Sequence, residues 1–251
     1  MSATQEGSGA AASPLTPREI VPDFEAFGLQ AFTTTRAAGT FGTGGSEPVS
    51  EVMSRWNGLI AELRPLVPRF ATAGQVHGNR VITHSGDWEG WLRVPAADGH
   101  LSTTPGTAFA VTIADCVPVF IAHPSGAIAL LHSGWRGTAA RITERAIAIF
   151  RGLGLSPADL HLHLGPSICG DCYEVSPDVY AQLTTRTVTS PTPVDLRSLI
   201  ASHAHAAGVR HLTISPFCTR HDNGRFFSHR AGDGGRQIAV IAREGREEKS
   251  R

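Results

Sequence analysis

The segment from Thr112 to Gly137 constrains the fold more than any other part of the chain. Two apolar runs, Val117 to Ala122 and Ala127 to Leu131, are separated by the turn residues Pro124-Ser125-Gly126. Both runs have the length and residue types of buried strands, and the turn residues between them favour a reversal of the chain. The pattern predicts a hairpin or a closely returning pair of strands.

The residues that flank this pair of strands carry chemistry. Cys116 precedes the first run and His132 follows the second. Antiparallel neighbours meet at the same end of a sheet, so we expect the thiol and the imidazole to lie together. Such a pair can act as a thiolate nucleophile with an imidazole base, or as two ligands of a metal ion.

A third residue, His77, extends the second interpretation. It follows a predicted strand that begins at Arg69, and Gly78 after it allows the backbone to bend. One Cys and two His form a known ligand set for a catalytic zinc ion with an open position for water. The chain has 12 histidines, however, so many such groups arise by chance. Spacing alone leaves the metal site and the Cys–His nucleophile both open.

Two carboxylates are placed to assist at this end of the sheet. Asp115 is adjacent to Cys116, and Asp98 is adjacent to Gly99. Either can orient a ligand imidazole or transfer a proton. For Asp98 we favour simple turn chemistry, because Asp-Gly pairs are typical of turns.

Several arginines beside predicted turns are candidate anion ligands, because guanidinium binds phosphate or carboxylate in a bidentate manner. With 21 arginines against a single lysine, Lys249, most of these side chains are expected to be solvated surface cations. The shortage of lysine also argues against Schiff-base chemistry. The candidates are Arg36, Arg55, Arg136 and Arg230.

Cys169 and Cys172 form a C-x-x-C pair, which is typical of half a zinc site or of a redox pair. No second C-x-x-C follows at the usual spacing, and Cys218 is too distant in sequence to be assigned to the pair. We therefore favour a packing or loop-shaping role for these cysteines.

Composition indicates one catalytic domain in the cytoplasm. The 251 residues are 41% hydrophobic, and the formal net charge is zero, which gives no electrostatic basis for binding nucleic acid or an anionic membrane. No apolar run approaches the ~20 residues of a membrane span, and no signal peptide is evident. We predict a disordered leader over residues 1–18, a single domain over 19–246 and a charged tail over 247–251.

The order of predicted elements indicates the fold class. Strands and helices mix without strict alternation, which predicts an α+β fold with mixed β-sheets flanked by helices. Helices are expected from about Glu47 to Leu63, from Thr138 to Leu153, from Pro177, and from a cap at Asp195 to about Ala207. Asp98-Gly99-His100 is predicted to form a turn.

Seven strings, taken in this order, resemble the laccase-domain family, also called YfiH-like and known both as polyphenol oxidase and as purine nucleoside phosphorylase. The resemblance covers about Phe32 to the end of the chain. The strings are Q-V-H-G-N-R-V from Gln75, A-D-G-H from Ala97, T-I-A-D-C-V-P-V from Thr112, L-H-S-G-W-R-G from Leu131, L-G-P-S-I from Leu164, C-Y-E-V from Cys172 and R-F-F-S-H-R from Arg225.

The resemblance implies a zinc site formed by His77, Cys116 and His132. It implies phosphorolysis of adenosine, inosine and methylthioadenosine, and hydrolytic deamination of adenosine, so the expected partners are purine nucleosides and phosphate. Cys116 and Asp115 are then the expected catalytic residues, with Arg55 and Arg230 as substrate-binding candidates. Two departures exist: the family's S-L-N-L-G string is absent after Arg36, and Asp171 stands where the family often has Cys.

Three rival functions remain open at this point. The first is a copper-dependent polyphenol oxidase, although multicopper oxidation requires more histidine ligands than this group supplies. The second is a metal-free hydrolase that uses Cys116 and His132, such as a deamidase or a cell-wall precursor editing enzyme. The third is a scaffold without catalytic activity. The preferred nucleoside, the oligomeric state and the physiological role do not follow from the sequence.

Overall fold

The computed structural model describes residues 15–245. The predicted leader lies outside the described residues up to position 14, and the predicted tail, 247–251, lies outside them entirely. The last residues of the leader are described: the Thr16 hydroxyl donates to Glu62 at 2.8 Å, and the first strand begins at Arg18.

Two six-stranded sheets form the centre of the fold. The first has the strand order β1-β2-β14-β7-β3-β5, with β1 Arg18–Ile20, β2 Leu29–Thr34, β14 Gln237–Arg243, β7 Thr107–Ile113, β3 Arg69–Ala73 and β5 Gly90–Val94. The second has the order β13-β10-β8-β9-β6-β4, with β13 His211–Ile214, β10 His161–Leu164, β8 Val117–Ala122, β9 Ile128–Ser133, β6 Gly99–Ser102 and β4 Val81–His84. A small pair joins β11 Glu174–Val175 to β12 Thr192–Pro193.

The two sheets pack face to face, and helices cover their outer faces. Alternate residues of one strand separate the layers: Phe109 and Val111 on β7 pack between the sheets, whereas Ala108 and Ala110 face a helix. That helix is α1, Val49–Leu63. The outer face of the second sheet is covered by α3, Ile142–Gly152, and α5, Leu196–Ala206, while α2, Trp135–Ala139, and α4, Pro177–Thr184, pack beside them. The predicted mixed α+β fold is confirmed.

The predicted hairpin is present as β8 and β9. The strands pair in antiparallel register with Pro118 opposite His132 and Val117 opposite Ser133. Cys116, one residue before β8, is therefore held beside His132, as the sequence pattern predicted.

Two local predictions are wrong. The segment Asp98-Gly99-His100 is not a turn, because β6 begins at Gly99 and pairs with β9. A Cβ at Gly99 would lie 2.7 Å from Leu131 Cδ2 and 2.9 Å from Val81 Cγ2, so any larger residue would displace these buried side chains. The helix predicted from Thr138 to Leu153 is broken at Arg141, whose φ of 62° is incompatible with a continuous right-handed helix.

Within residues 15–245, no helix combines the length and the apolar character needed to cross a bilayer.

Candidate metal centre and active site

The three predicted metal ligands meet at one point of the structure. His132 lies on β9, Cys116 lies between β7 and β8, and His77 lies in the loop after β3. One ligating atom from each residue lies within 4.8 Å of those of the other two. The imidazole rings of His77 and His132 are edge to face, with centroids 4.8 Å apart. This arrangement joins residues from three separate segments into one donor set.

Asp98 holds two of these ligands in place. Its carboxylate is fully buried and accepts a hydrogen bond from His132 Nδ1 at 2.8 Å. It also accepts from the backbone N–H groups of His77 at 2.9 Å and Gly78 at 2.8 Å, which fixes a loop in which His77 has a φ of 58°. Burial raises the pKa of Asp98, but the hydrogen bonds from His132 and Gly78 outweigh it, so the pKa is lowered. Because Nδ1 of His132 is engaged by Asp98, Nε2 is the ring nitrogen that could bind a metal ion.

The charges of the cluster suit a cation. Burial raises the pKa of the Cys116 thiol, yet the neighbouring His132 charge and hydrogen bonds from both histidines lower it to about 6. Burial lowers the pKa of His132, but Cys116 and Asp98 raise it to about 9. Without a metal ion, the pair is a thiolate and an imidazolium at neutral pH. A bound metal ion would take the place of the imidazolium proton, and Cys116, His77 and His132 would then hold it as one thiolate and two imidazoles.

Space around the donors is also consistent with a bound ion. A Cβ added to Gly134 would lie 2.8 Å from Cys116 Sγ and 3.3 Å from His77 Cδ2. The glycine after β9 thus keeps side-chain atoms away from the point where the three donors converge.

Two cavities reach this cluster. The larger, of about 630 Å³, has an aromatic wall and contains Arg93 and Arg236. The smaller, of about 340 Å³, contains Arg136, Arg230 and Tyr173. His77, Cys116 and His229 line both cavities. The three possible metal ligands therefore lie at the junction of the two cavities.

Asp115 and Arg230, both predicted as site residues, meet at the smaller cavity. The Asp115 carboxylate accepts from Thr219 Oγ1 at 2.6 Å and from the backbone N–H of Arg230 at 2.7 Å. The Arg230 guanidinium lies over the Tyr173 ring at 5.0 Å and donates to the Glu174 carbonyl at 3.0 Å. Asp115 thus positions the backbone that carries Arg230.

Arg55 is placed differently from the other predicted site residues. It lines neither cavity, its guanidinium pairs with Glu47, and it donates to the Thr40 carbonyl at 3.1 Å. Phe41 and Gly42, which follow Thr40, belong to the wall of the larger cavity. Arg55 contacts the wall of that cavity from behind.

Two residues of this site were not assigned from the sequence. For Asp98, turn chemistry was favoured over the orientation of an imidazole, whereas its carboxylate orients both His132 and the His77 loop. His229 was not singled out, although it lies in the R-F-F-S-H-R string from Arg225. That string was the available signal, because it contains an imidazole next to the predicted Arg230.

The chain has relatives among known proteins. The family model described as "multi-copper polyphenol oxidoreductase laccase" matches residues 40–244. A purine nucleoside phosphorylase of Deinococcus radiodurans is 36% identical over 212 residues, covering 80% of this chain and 79% of that protein. Purine nucleoside phosphorylase YlmD of Geobacillus stearothermophilus is 34% identical over 198 residues, covering 70% of this chain and 72% of that protein.

Solved structures show the same fold. The crystal structure of YlmD from Geobacillus stearothermophilus superposes with a TM-score of 0.80 at 27% identity, covering 87% of this chain and 93% of that one. The structure of a Bacillus licheniformis hypothetical protein, YfiH, gives a TM-score of 0.84 at 22% identity, covering 92% and 97%. Together with the family match, these similarities show that the chain belongs to the multi-copper polyphenol oxidoreductase laccase family, the YfiH-like family that its motifs resemble.

Proposed function

We propose that this protein is a zinc-dependent purine nucleoside phosphorylase that also deaminates adenosine to inosine. It would convert adenosine, inosine or methylthioadenosine and phosphate into the free base and a ribose 1-phosphate. The observation that carries the proposal is the position of His77, Cys116 and His132 where two cavities meet. The names of the similar proteins, purine nucleoside phosphorylases, support the substrate class.

The donor set favours zinc as the metal. One thiolate and two imidazoles leave a coordination position open, which is the arrangement of a catalytic zinc site. When bound, zinc would act as a Lewis acid and would lower the pKa of a coordinated water. Within residues 15–245, the group of possible metal donors at this site consists of His77, Cys116 and His132. A multicopper oxidase requires a larger set of histidine ligands, so copper is the weaker alternative.

Two reactants must approach one carbon atom in phosphorolysis, and the two cavities provide for this. We assign the nucleoside to the larger cavity, whose wall contains the Trp91 ring stacked on the nearly buried Trp56 ring at 5.2 Å. We assign phosphate to the smaller cavity, where Arg136 and Arg230 supply positive charge. The Arg136 guanidinium lies over the Trp135 ring at 4.3 Å, which leaves its edge available to an anion.

The reaction balances with groups in these positions. A phosphate oxygen forms a bond to the anomeric carbon, the carbon–nitrogen bond breaks, and its electron pair passes to the purine. The leaving purine takes up a proton, and His229, which lines both cavities, is the group best placed to supply it. Asp115 contributes by holding Arg230, and Arg55 by holding the loop at Thr40.

Chromatographic separation of products tests the proposal. With adenosine, purified protein should form adenine only when phosphate is present, and inosine without it. Cys116→Ala should remove both activities together with one metal ion. His123→Ala is the matched control, because His123 lies in the β8–β9 turn, where its ring nitrogen contacts the turn residue Ser125, and it lines neither cavity. Full activity in Cys116→Ala would contradict the proposal.

A second candidate is supported by the thiolate and imidazolium charges of Cys116 and His132 in the absence of a metal. This pair is typical of a cysteine hydrolase, with Asp98 orienting the histidine. Protein stripped of metal by a chelator distinguishes the two functions. Loss of turnover that returns with zinc supports the phosphorylase, and undiminished turnover supports the hydrolase.

A further inference from the structure

A second group of metal donors lies outside both cavities. Cys169, Cys172, Cys218 and His221 each place one ligating atom within 4.8 Å of the other three. Cys172 Sγ lies 3.2 Å from His221 Nε2, and Cys169 Sγ lies 3.7 Å from His221 Nδ1. All three sulfur atoms belong to free cysteines. The group is therefore a set of three thiols and one imidazole.

The fold brings together two halves that are remote in sequence. Cys169 and Cys172 follow β10, and Cys218 and His221 follow β13, which is the parallel neighbour of β10. An additional bridge between Ser167 and Cys218 continues this parallel pairing beyond the strands. Each half has two residues between its donors, as C-x-x-C and C-x-x-H. Both halves are thus short loops at the carboxyl ends of two neighbouring parallel strands, β10 and β13.

The spacing of the donors suits zinc. Zinc–sulfur bonds of about 2.3 Å and zinc–nitrogen bonds of about 2.1 Å place the ligands of a tetrahedral ion roughly 3.6 to 3.8 Å apart. His221 would ligate the ion through one ring nitrogen. The distance from Nδ1 to Cys169 Sγ is 3.7 Å, within this range, and the distance from Nε2 to Cys172 Sγ is 3.2 Å, which is shorter. The backbone N–H of Cys169 also points to Cys218 Sγ at 3.3 Å, a contact that stabilises negative charge on sulfur.

We propose that Cys169, Cys172, Cys218 and His221 bind a second zinc ion that has a structural role. Four protein donors complete a tetrahedral shell, which leaves no position for substrate. None of the four residues lines either cavity, in agreement with a closed site.

The ion would join two loops that support the smaller cavity. Thr219, next to Cys218, donates to Asp115 at 2.6 Å. Ile168 and Tyr173, on either side of the C-x-x-C pair, line the smaller cavity. The second zinc therefore fixes the wall that faces the first cluster. The inference rests on these four donors and holds for any reaction at that cluster.

Native mass spectrometry of the purified full chain counts the bound ions. We expect two zinc ions in the wild type, one in Cys116→Ser, one in Cys172→Ser and none in the double variant. His123→Ala, on the β8–β9 turn, should retain two. The inference would be overturned if the wild type binds a single zinc ion, and if that ion is lost in Cys116→Ser but kept in Cys172→Ser. A mass lower by two hydrogens, which indicates a disulfide among these cysteines, would also overturn it.

A second measurement covers the case in which Cys172→Ser does not fold. Cys116→Ser removes the thiol of the first cluster, so cobalt bound to this variant should still show intense sulfur-to-cobalt charge-transfer absorption. His221→Cys should retain the ion as a four-cysteine site, whereas His221→Ala should bind it more weakly. Absence of the charge-transfer absorption in cobalt-loaded Cys116→Ser would overturn the inference.

Discussion

The two Cys–His clusters differ in donor number, in surroundings and in charge. His77, Cys116 and His132 form a three-donor group where two cavities meet. Cys169, Cys172, Cys218 and His221 form a four-donor group that lines neither cavity. An open shell of three ligands suits catalysis, and a closed shell of four suits folding. On the number of donors and the access of substrate, we assign chemistry to the first group and a structural role to the second.

The Cys116 and Cys172 thiols differ in charge before metal binding, whereas backbone N–H groups lower the pKa of Cys218 in spite of its burial. His132 and His77 lower the pKa of Cys116 to about 6 despite burial. Burial, with hydrogen bonding and charge from Cys169 and Cys218, raises the pKa of Cys172 to about 12. Asp98 and the histidines thus prepare the first cluster for a cation, whereas Cys172 ionises only when a metal ion replaces its proton.

The largest expected effect concerns alkylation of metal-free protein across a pH series. Lowering the pKa of Cys116 from 9.0 to about 6 raises its acid dissociation constant about a thousandfold. The thiolate is the reactive form. Because folding lowers the pKa of Cys116, its labelling should rise with pH through about 6, and not through about 9. Cys172 should stay unlabelled at neutral pH.

Peptide mass mapping of the alkylated protein identifies the labelled cysteine. Zinc-loaded protein is the control, and there Cys116 should be protected. A labelling midpoint near pH 9 for Cys116 would show that the His132 charge does not lower the pKa of this thiol. Equal labelling with and without zinc would exclude Cys116 as a ligand.

Cys218→Ser should lower stability more than activity. If free zinc is a hundredfold above its dissociation constant, loss of the second ion costs about 2.7 kcal/mol. For a chain of this size, the midpoint of thermal unfolding should fall by roughly 5 to 11 °C. Calorimetry measures the midpoint, and turnover below the transition should persist. An unchanged midpoint with unchanged zinc content would contradict a structural ion here.

Asp98→Asn should weaken metal binding at the first cluster by about 10- to 100-fold, because the group that orients His132 loses its charge. Competition with a chromophoric chelator gives the affinity. Asp87→Asn, at an exposed turn where the carboxylate contacts only Ser85, is the control and should bind normally. The second cluster should be unaffected, so equal weakening at both would point to general unfolding.

Gly134→Ala should have the smallest effect, about tenfold on metal affinity at the first cluster, since its Cβ would approach Cys116 Sγ to 2.8 Å. Gly152→Ala is the matched control, because a Cβ there meets no atom within 4 Å. It should keep full affinity and increase stability by up to about 1 kcal/mol. If the two alanine variants bind metal equally well, the contact at Gly134 has no influence.

The first cluster was partly predictable because local sequence determines its geometry. The apolar runs and the Pro124-Ser125-Gly126 turn specify the β8–β9 pair, and that pair holds Cys116 beside His132. Asp98 was misassigned because β6 is short and starts with Gly99, which resembles a turn in sequence. Its role depends on pairing with β9, which brings His132 Nδ1 to the carboxylate.

The second cluster could not be predicted because it depends on contacts between distant parts of the chain. Only the parallel pairing of β10 with β13 brings Cys218 and His221 to the C-x-x-C loop. Arg55 illustrates the same limit, because its pairing with Glu47 behind the Thr40 loop is set by tertiary packing. Side-chain chemistry is visible in a sequence, but the partners of each side chain are not.

We propose that the open cluster catalyses and that the closed cluster supports the fold. Zinc content and phosphate-dependent formation of adenine, measured on one preparation each of Cys116→Ala and Cys172→Ala, test it most directly. We predict one zinc ion per chain in each variant, with no adenine from Cys116→Ala and continued formation of adenine by Cys172→Ala. An active Cys116→Ala protein, or an inactive Cys172→Ala protein that is folded and retains one zinc ion, would contradict the account.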